Sequence, residues 1–91
     1  MQQHQAGRLA EAEALYRQIL AVEPEHGDAL HLLGVVADQV GQSDLAVELM
    51  RRALALIPDD PRVHGNLGEA YRRRGQWAEA INWLQRARIR L

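Results

Sequence analysis

Apolar residues recur along the chain at intervals of three and four positions, which is the period of an amphipathic α-helix. The first clear set is Leu30, Leu33, Ala37 and Val40, and the second is Leu45, Leu49, Met50, Ala53 and Leu56. Gly41 stands between the two sets, and glycine readily adopts the left-handed backbone that ends a helix. The pattern predicts two short helices joined by a tight turn.

The residues around these segments carry helix start and stop signals. Ser43 opens the second segment, and its hydroxyl is predicted to accept a hydrogen bond from a free amide there. Pro58 closes the pair, and Asp60 followed by Pro61 is typical of an N-cap with proline at the first helical position. The chain is therefore predicted to begin another helix at residue 61.

The whole pattern repeats every 34 residues. The matched sets are Gly7, Gly41 and Gly75; Ala12, Ala46 and Ala80; Pro24 and Pro58; Leu33-Gly34 and Leu67-Gly68. A fixed period of this length indicates a stack of supersecondary units. We expect Ala12, Ala46 and Ala80 to lie where the second helix of each pair crosses the first, and Gly34 and Gly68 to receive that contact, because small side chains let helix axes approach closely.

The repeated residues resemble the tetratricopeptide repeat (TPR), a 34-residue helix-turn-helix unit. The resemblance rests on Leu33-Gly34, Gly41, Ala46, Ala53 and Pro58, and again on Leu67-Gly68, Tyr71, Gly75, Ala80 and Ala87. It implies an all-α fold, a right-handed superhelix of antiparallel helix hairpins, with about five helices and an N-terminal stub.

We expect a single domain, residues 1–91, which the phase of the repeat divides into three parts. Residues 1–26 are a partial repeat, 27–60 a full repeat, and 61–91 a repeat without its final loop. Gly7 falls at the position of a hairpin turn, so Met1 to Ala6 are expected to be the stub of a first helix.

The same resemblance implies a concave groove, lined by the first helix of each repeat, that holds a peptide or a partner helix. The positions carried over are Asp28, His31, Leu32, Val35, Asp38 and Gln39 in one repeat, and Arg62, Gly65, Asn66, Glu69, Arg72 and Arg73 in the next. Asn66 resembles the asparagines that line the groove of O-linked N-acetylglucosamine transferases, since an amide can both donate to and accept from a peptide backbone. Leu32 interrupts that series one repeat earlier.

Composition indicates a folded chain without covalent or metal crosslinks. The 91 residues are 47% hydrophobic and 25% charged with a net charge of −1, and cysteine is absent, so disulfides and thiolate metal sites are excluded. The longest apolar run covers residues 53–57, far below the roughly 20 residues of a membrane span. The N-terminus lacks the pattern of a secretory signal. We therefore expect a cytoplasmic protein that does not span a membrane.

Charge is divided unequally along the sequence. Residues 1–60 carry 4 Arg and 10 acidic residues, whereas residues 61–91 carry 7 Arg and 2 Glu. The arginines from Arg72 to Arg90 could form a basic patch for nucleic acid, but the net charge and the repeat argue against it. We assign no function to the asymmetry from sequence.

Candidate catalytic and metal-ligating residues fit structural roles better. The four histidines form no HExxH or i,i+4 pair, and His64 is expected in an interior or interfacial position. Several acids are followed four residues later by arginine, as in Glu13–Arg17, Glu48–Arg52 and Glu69–Arg73, a spacing typical of solvated helix faces. No enzyme activity and no cofactor are predicted.

The leading hypothesis is a protein–protein interaction scaffold that binds a protein or peptide partner in the groove. The alternative is a substrate-docking segment of a larger bacterial protein, in the style of the TPR arrays that precede glycosyltransferase or sulfotransferase domains. At the end of the array Ile81, Leu84 and Ile89 are expected to be partly exposed, which would permit a homodimer through the terminal helices.

Overall fold

The chain folds into five α-helices connected by short turns. The computed structural model describes the backbone of residues 3–90 and the side chains of residues 7–85. The helices are α1 (Gln3–Val22), α2 (Gly27–Gln39), α3 (Ser43–Leu56), α4 (Pro61–Arg73) and α5 (Trp77–Arg90). Each helix packs against the next one, and α2 also touches α4. The predicted all-α architecture and the number of helices are confirmed.

The N-terminal helix differs from the prediction at Gly7. Helix α1 runs without a break through this residue, so no hairpin turn forms there. A methyl group added at Gly7 would meet no atom within 4 Å. Extending α1 through Gly7 keeps the backbone hydrogen bonds of the residues before it within one long helix. The predicted stub therefore continues α1, apart from Met1 and Gln2, which lie outside the described residues.

The other two repeat glycines end helices as predicted. Gly41 has φ of 86° and Gly75 has φ of 76°, both in the left-handed region that glycine adopts without steric cost. The prediction for Ser43 is wrong, because Ser43 is the first residue inside α3 and its N-cap, Gln42, makes no side-chain cap hydrogen bond. Helix α4 begins as predicted: the side chain of Asp60 accepts a hydrogen bond from the Arg62 amide at 2.9 Å.

The small residues lie at the helix crossings as predicted at Ala46 and Ala80, but the prediction is wrong for Ala12, which is half-buried within the single helix α1. Ala46 is 0% exposed and Ala80 is 1% exposed. A Cβ atom built on Gly34 would lie 3.3 Å from the Ala46 carbonyl oxygen, and one built on Gly68 would lie 3.2 Å from the Ala80 carbonyl oxygen. Each hairpin therefore closes through the same glycine–alanine contact, which confirms the packing predicted from the period.

The core lies between the helices and continues from one hairpin into the next. Its members are Leu30, Leu33, Ala37, Ala46, Val47, Leu49, Met50, Ala53, Val63, Leu67, Ala70, Tyr71 and Ala80. On α5, Ile81 is 54% exposed and Trp77 is 59% exposed, and Leu84 is half-buried. The side chain of Ile89 lies outside the described residues. Within the helices that the structure describes, no stretch combines the length and the apolar character needed to cross a membrane.

Candidate functional site

The face shared by α2 and α4 is built from three polar pairs that link successive repeats. Arg62 lies 3.4 Å from an Asp28 carboxylate oxygen, and Arg73 lies 3.4 Å from an Asp38 carboxylate oxygen. Between them, the side-chain amide of Asn66 donates a hydrogen bond of 2.8 Å to Nε2 of His31. We call these residues of α2 and α4, with the side chains between them, the α2–α4 face.

His31 occupies a different place from the one predicted. It is only 2% exposed, so its ring lies beneath the groove surface and supports Asn66 from below. Burial, followed by the nearby Arg62 guanidinium, lowers the pKa of His31 below 6.5. The ring is therefore neutral at pH 7, and a neutral ring that accepts at Nε2 carries its hydrogen on Nδ1.

The start of α4 is held by an ion pair between two neighbours in sequence. Arg62 contacts the Asp60 carboxylate at 2.6 Å, in addition to the amide bond that caps the helix. The hydrogen bond from the Arg62 side chain is the main cause that lowers the pKa of Asp60 to about 2. Asp60 stays ionised through the physiological range, so Arg62 is held toward this cap and toward Asp28.

A pocket of about 170 Å³ opens on the α2–α4 face. It is lined by six of the residues predicted to form the groove and by Met50, namely Val35, Asp38, Gln39, Met50, Asn66, Glu69 and Arg73. Sequence reasoning missed Met50 because it assigned the groove to first helices alone, and Met50 lies on α3. Its side chain reaches the pocket past Gly34, where an added Cβ would lie 2.9 Å from Met50 Cγ.

Other predicted residues lie on the same face but do not line this pocket. Asp28 and Arg62 are exposed, and Leu32 is half-buried. Arg72 is exposed and forms an ion pair of 2.8 Å with Glu69, three residues before it.

Of the three predicted i,i+4 ion pairs, the structure forms the one between Glu13 and Arg17, at 2.9 Å. The predicted pair between Glu69 and Arg73 is wrong, because Arg73 turns to Asp38 of the preceding repeat. Glu69 pairs instead with Arg72 at 2.8 Å.

His64 is buried between hairpin elements, as predicted. It is 4% exposed, its Nε2 donates a hydrogen bond of 2.8 Å to the Pro58 carbonyl, and its ring stacks on Trp83 with centroids 5.3 Å apart. The histidine thus joins the loop before α4 to α5. Over the part of the chain that the structure describes, no group of three or more His, Cys, Asp or Glu residues is placed to hold a metal ion.

The comparisons with known proteins agree with this architecture. The tetratricopeptide repeat model matches residues 3–64 and 39–90. The chain is 36% identical over 80 residues to a TPR repeat-containing protein of Pseudomonas aeruginosa, covering 87% of this chain and 14% of that protein. It is 38% identical over 63 residues to tetratricopeptide repeat protein 36 of Mus musculus, covering 69% of this chain and 34% of that protein. The chain therefore belongs to the tetratricopeptide repeat family.

Solved structures show the same fold. A crystal structure of MamA superimposes with a TM-score of 0.84 at 24% identity, covering 96% of this chain and 51% of that one. The type III secretion chaperone SycD of Yersinia enterocolitica, solved in complex with a peptide of the translocator YopD, gives a TM-score of 0.86 at 22% identity, covering 98% of this chain and 68% of that one. The chain is thus a TPR solenoid, and it spans about a third or less of the two curated relatives described above.

Proposed function

We propose that this chain is a protein-interaction module that binds an extended peptide or a partner helix on the α2–α4 face. The observation that carries the proposal is the pocket of about 170 Å³, which gathers apolar, amide and charged side chains from three helices. Concave sites with an apolar lining and a few placed polar groups are the usual form of binding sites. A neighbour of the same fold was solved in complex with a peptide, which supports a peptide-binding role.

Asn66 is the residue best suited to hold a peptide backbone. It is half-buried, and one of its amide hydrogens is directed to His31. Its side-chain oxygen accepts no hydrogen bond from the described residues, so it can accept from a backbone N–H of the ligand. The neutral ring of His31 fixes the amide in this orientation.

The chain itself is proposed to bind rather than to catalyse. Ion pairs hold most of the charged side chains of the α2–α4 face, as Asp28 with Arg62 and Glu69 with Arg72. A docking role within a larger glycosyltransferase or sulfotransferase-like protein is the second candidate. The groove position of Asn66, which resembles the asparagine series of such transferases, is the observation that favours it.

The test begins with selection of peptide ligands by phage display on the purified chain, followed by affinity measurement by fluorescence anisotropy. Replacing Asn66 by Ala is expected to weaken binding by about 0.5–1.5 kcal/mol, the usual contribution of one hydrogen bond. Asn82→Ala, an exposed amide on α5, is the matched control and should leave the affinity unchanged.

Asn66→Ala should also lose about 1 kcal/mol of folding stability, because the buried His31 nitrogen is left without its donor. Affinity is therefore measured well below the unfolding temperature of both variants. Equal affinities for wild type and Asn66→Ala, or an equal loss in both variants, would place the ligand on another surface.

A further inference from the structure

The pocket on the α2–α4 face contains a buried carboxylate whose charge is incompletely neutralised. The side chain of Asp38 is 10% exposed, and its Oδ1 is buried without a hydrogen-bond partner. Its Oδ2 has Arg73 Nε at 3.4 Å, a long contact from a side chain that is 49% exposed. Burying a carboxylate is costly unless it is both paired and hydrogen-bonded. One oxygen of Asp38 therefore has no donor among the described residues.

The surroundings of Asp38 fit a long cationic side chain. Val35 and Met50 supply apolar wall, against which methylene groups of lysine or arginine pack well. Glu69 and Asn66 supply further oxygen acceptors at the same pocket. A volume of about 170 Å³ equals roughly six water molecules at about 30 Å³ each, which is enough for such a side chain.

The charges that line the pocket favour a cation over an anion. They are two carboxylates, those of Asp38 and Glu69, and one guanidinium group, that of Arg73. Arg73 already contacts Asp38, so an acidic ligand would have to break this pair. A cation instead adds to an unsatisfied group.

We infer that this pocket receives a lysine or arginine side chain of the bound peptide. The inference rests on the proposed function and names the chemistry that the site selects. The ammonium or guanidinium group donates to the unpaired oxygen of Asp38, in addition to the long contact from Arg73. Because the terminal torsion of aspartate is soft, the carboxylate can turn its second oxygen toward the ligand.

The experiment uses acetylated and amidated heptapeptides of sequence Gly-Ser-Ala-X-Ala-Ser-Gly, in which X is Lys, Arg, Gln or Glu. Each peptide is titrated into isotope-labelled protein, and chemical shifts of the Val35 and Met50 methyl groups and the Asn66 amide are followed by NMR. The Lys and Arg peptides are expected to bind roughly tenfold more tightly than the Gln peptide, the gain from a hydrogen bond to a charged group.

The variant Asp38→Asn should abolish this preference, and the matched control is Asp44→Asn, which removes the same charge from α3 outside the α2–α4 face and should retain it. If Asp38→Asn does not fold, Glu69→Gln replaces it and should reduce the preference. Tighter binding of the Glu peptide, or a preference that survives Asp38→Asn, would overturn the inference.

A third outcome separates this inference from the proposed function. If phage-selected peptides shift the Asn66 resonance while the four probes bind alike, the lysine-or-arginine inference fails and the binding surface stands. If neither selected peptides nor probes shift residues of the α2–α4 face, both fail.

Discussion

The hairpin of α2 and α3 and the hairpin of α4 and α5 are built from the same 34-residue unit, yet only their interiors are alike. Gly34 and Gly68 receive Ala46 and Ala80 in the same geometry. The groove positions change completely: Asp28, Leu32, Val35, Asp38 and Gln39 in one hairpin correspond to Arg62, Asn66, Glu69, Arg72 and Arg73 in the other. Packing positions are constrained by close contact within each unit, whereas groove positions are free to vary in charge.

The difference in charge explains the unequal distribution of acids and arginines along the sequence. Acidic residues of the first complete hairpin face arginines of the second, as Asp28 faces Arg62 and Asp44 faces Arg74. Opposite charges on neighbouring repeats attract, and like charges at these positions would repel. The asymmetry therefore helps to join one repeat to the next, a role that could not be assigned from sequence.

The largest expected effect comes from enlarging the alanine at each helix crossing, because the second helices of the two hairpins have different numbers of neighbouring helices. Helix α3 lies between α2 and α4, whereas the described part of α5 packs against α4 alone. Ala46→Leu should therefore destabilise the fold by about 3 kcal/mol and Ala80→Leu by about 1 kcal/mol, near the two ends of the usual range for overpacking. Urea unfolding followed by circular dichroism measures both changes.

Ala55→Leu on the exposed side of α3 is the control for the added side chain and should leave the unfolding midpoint nearly unchanged. Losses of equal size at Ala46 and Ala80 would show that the end hairpin is as rigidly confined as the inner one.

A smaller effect is expected at the glycine of each crossing. A Cβ on Gly68 would lie 2.7 Å from the branched Cγ of Leu84, whereas one on Gly34 would lie 2.9 Å from the unbranched Cγ of Met50. Methionine adapts more easily than leucine, and alanine gains about 1 kcal/mol over glycine in a helix. Gly68→Ala should lose about 1 kcal/mol of unfolding free energy, while Gly34→Ala should change it little.

The double variant Gly68→Ala with Leu84→Ala tests the assigned cause, since removal of the leucine side chain should reduce the cost of the added methyl group. A cost that persists in this background would point to the Ala80 carbonyl, 3.2 Å from the built Cβ, as the colliding atom.

The smallest expected effect is the pH dependence of the unfolding free energy that His31 contributes to the first complete hairpin. Burial lowers its folded-state pKa below 6.5, so the unfolded chain binds a proton more readily than the folded one. The stability contributed by neutral His31 is fully present above pH 6.5 and is lost as the pH falls below that value. The neighbouring Asp60, with its pKa near 2, stays ionised across this window.

Urea midpoints at pH 8 and pH 5.5 should differ less for His31→Gln than for the wild type, while the other histidines are common to both proteins. An identical pH dependence in the two proteins would assign the effect to another group.

Most of the fold could be predicted from the sequence, because the repeat is specified by residues that act within one helix or one turn. The glycine turns at Gly41 and Gly75, the cap at Asp60 and the buried alanines follow from helix chemistry within one unit. The prediction of a turn at Gly7 was wrong, because it rested only on the match of Gly7 to Gly41 and Gly75 in the period. Whether a turn forms depends on packing between the two helices that it would join, which the period does not report.

The sequence alone determined the helices and the crossing contacts at Ala46 and Ala80, since these depend on spacing along a helix. Only the tertiary structure decided which groove residues meet. The period matches His31 with Gly65 and Asp38 with Arg72, but the observed pairs are His31 with Asn66 and Asp38 with Arg73. The observed partner thus lies one residue later than the period predicts. This offset depends on the rotation and tilt of α4 against α2, which are set by side-chain packing between the repeats. The same packing brings Met50 from the second helix into the pocket and buries Asp38 beside it.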